Sequence, residues 1–204
     1  MLPEIIKPDL TVIFVGAAVT GLSETLGFYH LHPNDRFWEL LAIGSITPKH
    51  VITAQERKAL TDGHKSGSLS DPVRQMFTQK RADQLLNLGI GLTDLNRRTI
   101  AADEKDKSAK PDEEDVRAFI ARVAPLNPRI LAFVMREEDF GGAFKKQFPD
   151  VTDTLGPQAF KIGNAEVWLL GSTTAVLRGE SLLEQEDAFF ALGERILVVR
   201  GGSS

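Results

Sequence analysis

The chain of 204 residues contains no cysteine, which excludes disulfides and thiolate chemistry and argues against a zinc site. No apolar run approaches the length of about 18 residues that a membrane helix needs. No basic segment followed by an apolar one opens the sequence, so no signal peptide is predicted. We therefore expect a cytoplasmic protein with no membrane partner. Neither a dinucleotide fingerprint nor a P-loop follows a predicted strand, and we expect no cofactor and no metal.

A strong excess of charge of one sign is also absent. The chain has 24 basic and 28 acidic residues, and its formal net charge is -4. Net charge alone therefore does not indicate nucleic acid binding, although a local basic face would be compatible with it. The hydrophobic fraction of 42% is enough for a full core, and the length fits one domain. We expect residues 1–204 to form a single domain.

Short apolar runs predict the strands, and amphipathic segments between them predict the helices. The four runs do not alternate with polar residues, which is typical of strands buried on both faces of a parallel sheet. They are residues 10–15, 130–135, 167–170 and 196–199. The helical segments are residues 36–43, 55–60, 73–88, 112–123 and 181–192. This alternation predicts an α/β fold, a three-layer sandwich with a central, mostly parallel four-stranded sheet flanked by helices.

Ligands of open α/β sheets bind beyond the carboxyl ends of the strands. Two glycine-rich segments, 16–27 and 171–179, are predicted to be loops at that edge. The first leads into a stretch with the only tyrosine, Tyr29, and a histidine, His30. Such an aromatic wall beside small residues suits a flat ligand such as a nucleobase. The adjacent Phe37 and Trp38 are interpreted as core residues, and Asn34 or Asp35 as a helix cap rather than a base.

Several segments, taken in order and spacing, carry a family resemblance. They are residues 2–10, Gly27-Phe28 with His32-Pro33, residues 36–38, residues 91–95 with Arg98, residues 163–178 and residues 198–201. In these segments the chain resembles the mismatch-specific uracil/thymine-DNA glycosylases of the uracil-DNA glycosylase superfamily. The resemblance covers nearly the whole chain and implies an insertion within about residues 51–80.

The two motifs of that family are altered here. Its first motif, Gly-Ile-Asn-Pro-Gly, aligns with residues 16–20, so the asparagine that positions the attacking water falls on Ala18. Its second motif, Asn-Pro-Ser-Gly-Leu-Ser-Arg, aligns with residues 172–178, where the asparagine becomes Ser172 and the arginine is kept as Arg178. The aromatic residue that stacks on the flipped base falls on His30, with Tyr29 beside it.

The resemblance implies three sets of site residues. The catalytic candidates are His30, Tyr29 and Ser23, and Ser23, Glu24 and Asp35 are left as alternatives for compensating the lost water-positioning group. The substrate-binding candidates are Gly16, Ala17, Ala18, Val19, Tyr29, His30 and Ser172. The DNA-binding candidates are Thr173, Thr174, Ala175, Val176, Leu177 and Arg178, with Val176 and Leu177 as an apolar wedge.

The function implied by the resemblance is that of a monofunctional uracil-DNA glycosylase. It would act as a monomer on uracil-containing double-stranded DNA, hydrolyse the N-glycosidic bond and leave abasic-site DNA. A binding protein of the same fold, which holds uracil or an abasic site with little or no turnover, is the alternative that the loss at Ala18 favours. An α/β enzyme that acts on a free nucleoside or nucleotide is a third hypothesis, and the apolar wedge argues against it.

Overall fold

The computed structural model describes residues 1–48, 51–102, 106–174 and 180–202. One sheet of five strands lies at its centre, in the order β2-β1-β3-β5-β4. The strands are β1 (Val12–Thr20), β2 (Ile90–Ala101), β3 (Ile130–Val134), β4 (Gly156–Ile162) and β5 (Ala165–Leu169). β2, β1, β3 and β5 pair in parallel, and β4 pairs antiparallel with β5. The predicted α/β sandwich with a mostly parallel sheet is confirmed, with five strands instead of four.

Helices cover both faces of this sheet. They are α1 (Gly21–Leu26), α2 (Phe37–Ile43), α3 (Ala54–Lys65), α4 (Asp71–Asn87), α5 (Glu113–Val123), α6 (Glu137–Phe144) and α7 (Glu180–Gly201). One face packs against α2 and α7 among others, and the opposite face packs against α5 and α6. We call these the α2/α7 side and the α5/α6 side. The predicted core positions Phe37 and Trp38 are confirmed, since both are fully buried on the α2/α7 side.

The central strand β1 shows why a continuous apolar run is needed. Successive side chains of a strand point to opposite faces. Val12 and Phe14 therefore pack on the α2/α7 side, whereas Ile13 and Val15 pack on the α5/α6 side, and all four are at most 1% exposed. Neither face of this strand meets water, so no position in the run tolerates a polar residue without a partner.

The predicted strand at residues 196–199 is wrong, because these residues lie inside α7. Ile196 is buried, but Leu197 and Val198 are 57% and 61% exposed. In this run, Ile196 and the half-buried Val199 therefore face the core at helical spacing, and the two residues between them face solvent. The predicted helix end at Gly193 is wrong as well. A Cβ on Gly193 would collide with the carbonyl oxygen of Gly44, so this glycine permits close helix packing rather than ending α7.

The predicted loop over residues 16–27 is a strand followed by a helix. β1 continues to Thr20, and its pairing with β2 shifts register between Ala18 and Thr20. Thr20 is then the N-cap of α1, and its hydroxyl accepts the amide of Ser23. Gly27 ends this helix in the left-handed conformation with φ of 78°. In this segment the end of β1 is thus followed directly by a short helix, without a loop between them.

Two strands were missed because their sequences are not apolar runs. β2 carries polar side chains in its second half, among them Asp94 and Asn96, which are buried nonetheless. β4 lies at the edge of the sheet, and its middle positions are exposed or half-buried. An edge strand needs only partial apolar character, and Pro157 is tolerated there because one side of the strand has no partner strand.

Candidate functional site

Two buried carboxyl groups and one histidine form the centre of the candidate site. Asp35 precedes α2 and is 4% exposed, and Asp94 lies on β2 and is 3% exposed. His30 interacts with both, because its ring is hydrogen-bonded to Asp35 and its charge lowers the pKa of Asp94. The site lies at the level of Gly16, where β3 ends. This is the edge of the sheet at which ligands of α/β folds bind.

Asp35 is surrounded by hydrogen-bond donors. Its Oδ2 lies 2.9 Å from Nδ1 of His30, and its Oδ1 accepts the Phe37 amide at 2.9 Å and the Thr173 hydroxyl at 2.6 Å. Burial alone would raise the pKa of Asp35. The charge of His30 and these hydrogen bonds outweigh burial and hold the pKa below its ordinary value. Asp35 is therefore ionised at neutral pH, and the proton of the shared hydrogen bond belongs to Nδ1 of His30.

His30 is fixed through its backbone as well as its ring. Its φ of 53° lies in the left-handed region that non-glycine residues rarely adopt. Its carbonyl accepts the indole N–H of Trp38 at 3.0 Å, and its ring stacks on Phe37 with centroids 3.9 Å apart. Together with the bond to Asp35, these contacts hold the strained conformation in place. The side chain of His30 remains 14% exposed, so one edge of the ring can be reached from outside.

Asp94 shows the opposite arrangement. It lies beside Gly16 in the parallel ladder of β1 and β2, and a Cβ on Gly16 would collide with its Oδ1. Its Oδ2 is buried and has no hydrogen-bond partner among the described residues. Burial raises the pKa of Asp94 to about 7, although the positive charges of His30 and Arg97 act against that rise. The carboxyl is therefore close to the midpoint of its titration at neutral pH.

Tyr29 and Arg97 extend this electrostatic neighbourhood. The hydroxyl of Tyr29 and Nη1 of Arg97 are both buried, and neither makes a hydrogen bond of good geometry among the described residues. The two groups are nevertheless close enough for Arg97 to lower the pKa of the phenol. Burial and then the charge of Asp94 raise the pKa of Tyr29, so its phenol stays neutral. Nη2 of Arg97 donates to the carbonyl of Leu2 at 2.9 Å. Buried polar atoms without partners are rare in proteins and, where titration is also perturbed, mark candidate sites.

The structure spreads the substrate-binding candidates of β1 over both faces of the sheet. Strand alternation places Gly16 on the α2/α7 side, whereas Ala17 packs on the α5/α6 side. Val19 packs in the core of the α2/α7 side. Ala18 pairs with Asn96 of β2. The amide of Asn96 is already engaged, since it donates to a carbonyl and accepts two backbone amides. No free polar group is therefore supplied by this pair.

Ser23 lies in α1 and takes part in the helix cap. Its hydroxyl accepts from the hydroxyl of Thr20 at 3.2 Å, and its carbonyl accepts the amides of Gly27 and Phe28. These bonds give Ser23 a structural role at the junction of β1 and α1. Its catalytic role stays a prediction, and the same holds for the alternative Glu24, which accepts from the N-terminal amino group.

The segment after β5 is tied to the Asp35 loop. The Thr173 carbonyl accepts the amide of Arg36 at 2.9 Å, and the Ser172 carbonyl accepts from the side chain of Gln185 at 3.0 Å. The hydroxyl of Thr173, a candidate for a phosphate contact, donates to Asp35 instead. Thr174 is half-buried and its hydroxyl lies 3.3 Å from that of Ser172. Ala175, Val176, Leu177 and Arg178 lie outside the described residues.

Asp94 is the site residue that the sequence analysis did not select. It entered only as part of residues 91–95, without a role. A signal was present in the strand pattern, since Ile90, Leu92 and Asp94 alternate along β2 and the first two are core residues of the α2/α7 side. A carboxylate that continues an apolar stripe is exceptional, because a buried charge costs free energy unless it is paired.

Neither a metal-binding cluster nor a membrane-spanning helix is found in the parts of the chain that the structure describes. Residues 1–48, 51–102, 106–174 and 180–202 contain no group of three or more His, Asp or Glu side chains placed to hold a metal ion. Within the same ranges, no helix is both long enough and apolar enough to cross a membrane.

Comparison with known proteins gives a likeness of fold. No family model matches the sequence. Among solved structures, the chain is similar to the solution NMR structure of a candidate uracil DNA glycosylase from Methanosarcina acetivorans, with a TM-score of 0.54. The likeness covers 96% of each chain at 14% sequence identity. At this identity it establishes the fold alone, and the fold extends over nearly the full length of both proteins.

Proposed function

We propose that this chain is a monofunctional uracil-DNA glycosylase of an atypical branch of the uracil-DNA glycosylase superfamily, closest to its mismatch-specific family. The observation that carries the proposal is the His30–Asp35 pair beside Asp94, at the carboxyl-end edge of the sheet. The fold shared with a candidate uracil DNA glycosylase over 96% of the chain supports it. The sequence resemblance adds independent support.

Cleavage of the N-glycosidic bond requires the protein to stabilise negative charge on the leaving base. When the bond between C1′ and N1 of deoxyuridine breaks, the bonding electrons leave with uracil, and its oxygens become anionic. His30 is suited to donate a hydrogen bond there, because Asp35 occupies Nδ1 and leaves Nε2 for the base. Tyr29 is the weaker of the two donors, since it is only 4% exposed.

The substrate contacts are proposed from the family resemblance. Gly16, Ala17, Ala18, Val19 and Ser172 are proposed to line the uracil pocket, together with Tyr29 and His30. Ala17 would do so through its backbone, because its side chain packs on the opposite face of the sheet. The segment of residues 173–178 is proposed to contact DNA, with Val176 and Leu177 filling the space of the flipped base and Arg178 binding phosphate. The protein would act as a cytoplasmic monomer without a cofactor, as one domain with an insertion within about residues 51–80, and would release abasic-site DNA.

The binding alternative has one observation in its favour. Ala18 brings no polar side chain to the site, and its partner Asn96 is fully engaged in structural hydrogen bonds. A protein of this kind would recognise uracil or an abasic site in DNA and turn over slowly or not at all.

One assay separates the two. The protein is incubated with a uracil-containing duplex, free uracil is quantified, and the DNA is treated with alkali to cut abasic sites. We expect uracil release and strand scission, and a loss of about 10²-fold or more in His30→Asn. Asparagine tolerates the left-handed backbone of this position but lacks the imidazole.

The matched control is His64→Ala, since His64 is exposed in α3. A shift of the duplex in a gel without uracil release would favour the binding alternative. Neither release nor a shift would contradict both.

A further inference from the structure

We propose that Asp94 is the general base that accepts the proton of the attacking water, an inference that rests on the proposed function. The carboxyl lies on the α2/α7 side of the sheet, at the level where β3 ends, and its Oδ1 lies against Gly16. Ala18 is two residues further along β1 and pairs with Asn96 of β2. Neighbouring strands are about 4.8 Å apart. β2 therefore brings a carboxyl oxygen close to residues 16–19 of β1, which have no polar side chain.

The other two carboxylates of this region, one buried and one half-buried, already accept hydrogen bonds. Asp35 accepts three hydrogen bonds. Glu4 accepts from Thr93 and, at 2.9 Å, from Arg122. Asp94 is different, because its Oδ2 has no partner among the described residues. It is therefore the one of these three groups with a buried oxygen that no described residue occupies by a hydrogen bond.

The titration of Asp94 fits this role. Its pKa of about 7 comes from burial, and the charges facing it modify that value. Those groups are His30 and Arg97, which lower the pKa, Glu4, which raises it, and Arg122, which lowers it. A base whose pKa lies near the operating pH is present as carboxylate and still accepts a proton readily.

The step balances without any further reactant. The water oxygen bonds to C1′ of the deoxyribose as the bond from C1′ to N1 breaks, and the bonding pair leaves with the uracil anion. The proton of the water passes to Oδ2 of Asp94. His30 stabilises the uracil anion, which takes up a proton from Asp94 or from solvent, and the products are uracil and an abasic site.

The test is the pH dependence of single-turnover uracil release from a uracil-containing duplex. For the wild-type protein we expect the rate to rise up to about pH 7, as Asp94 ionises. For Asp94→Asn we expect a loss of about 10²- to 10³-fold at pH 8 and no rise with pH. The control variant Asp153→Asn removes one exposed carboxylate and is expected to keep the wild-type rate and profile.

Each result bears on one of the two proposals. A rate within threefold of wild type in Asp94→Asn, or a wild-type profile without a rising limb, would overturn the role of Asp94 and leave the glycosylase proposal standing. Failure of the wild-type protein to release uracil would overturn both. Thermal unfolding of both proteins at pH 8 serves as the folding control. Because burial disfavours the charged form of Asp94, the neutral amide is expected to unfold at no lower temperature.

Discussion

Asp35 and Asp94 are buried to nearly the same degree, 4% and 3% exposed, but they differ in the hydrogen-bond donors around them. Asp35 has three donors, and its pKa is lowered although burial alone would raise it. Asp94 has no partner for Oδ2, and burial raises its pKa to about 7. Donors rather than depth therefore decide which of two buried carboxyl groups is ionised.

Because of this difference, the two carboxyl groups suit different roles in the proposed reaction. A carboxylate that is ionised at neutral pH can hold the imidazole of His30 in one orientation, as Asp35 does through Nδ1. It is a poor proton acceptor, because its conjugate acid forms only at low pH. Asp94 is the reverse, since it has no fixed partner and titrates near neutrality. The contrast separates a positioning residue from a candidate base within a single site.

Removing Asp35 is the largest expected change. Asp35→Ala leaves His30, the Phe37 amide and the Thr173 hydroxyl without their acceptor. We expect a loss of about 4 kcal/mol in the free energy of unfolding, measured by urea denaturation at pH 7. Because the folded-state pKa of Asp35 is lowered, its stabilisation is present at neutral pH and is lost as pH falls through that pKa.

The control for this change is Asp153→Ala at an exposed position, which should alter stability by less than about 0.5 kcal/mol. An Asp35→Ala protein as stable as the control would contradict the central place of Asp35 in the network.

The second expected effect has the opposite sign. The folded-state pKa of Asp94 is raised to about 7, so the folded protein binds more protons than the unfolded chain between about pH 4 and pH 7, and stability falls as pH rises through that window. Asp94→Asn should abolish this fall and raise the free energy of unfolding at pH 8 by about 2 kcal/mol, after allowance for a buried amide without a partner. Urea denaturation at pH 5 and pH 8 measures it, and a variant less stable than wild type at pH 8 would contradict it.

The smallest effect sharpens the comparison by removing one donor. Thr173→Val keeps the shape of the side chain but deletes the hydroxyl that donates to Asp35. We expect a loss of about 1 kcal/mol in the free energy of unfolding and a higher pKa for Asp35. Thr154→Val at an exposed position is the matched control. Equal stability of the two variants would show that the bond to Thr173 contributes nothing.

The fold was largely predictable where burial on both faces leaves only apolar residues, as in residues 12–15 of β1. It was not predictable where apolar residues are exposed or where polar residues are buried. Leu197 and Val198 are exposed on α7, although their run has the composition of a strand. The converse holds for Asp94 and Asn96, which are polar and buried in a strand.

The candidate site was predictable in part. The sequence placed His30 in the aromatic stretch that follows residues 16–27. The structure adds what spacing could not show, namely that Asp35 is hydrogen-bonded to His30 across five residues. The link between Thr173 and Asp35 spans 138 residues and depends on the tertiary fold. The pairing of Asp94 with Gly16 depends on the register of two parallel strands far apart in sequence. Sequence patterns predict which residues are neighbours within one helix or strand. They do not predict which residues of different strands or loops come into contact.

The most direct test of this account is a titration of both carboxyl groups in one sample. Carbon-13 NMR, with the side-chain carboxyl carbons of Asp35 and Asp94 assigned by comparison with the asparagine variants, follows each group from pH 3 to pH 9. The account predicts a midpoint near 7 for Asp94 and a midpoint below the ordinary aspartate value for Asp35. If Asp94 is already ionised at pH 5, or if the two groups titrate together, the contrast between a fixed carboxylate and a poised base is contradicted.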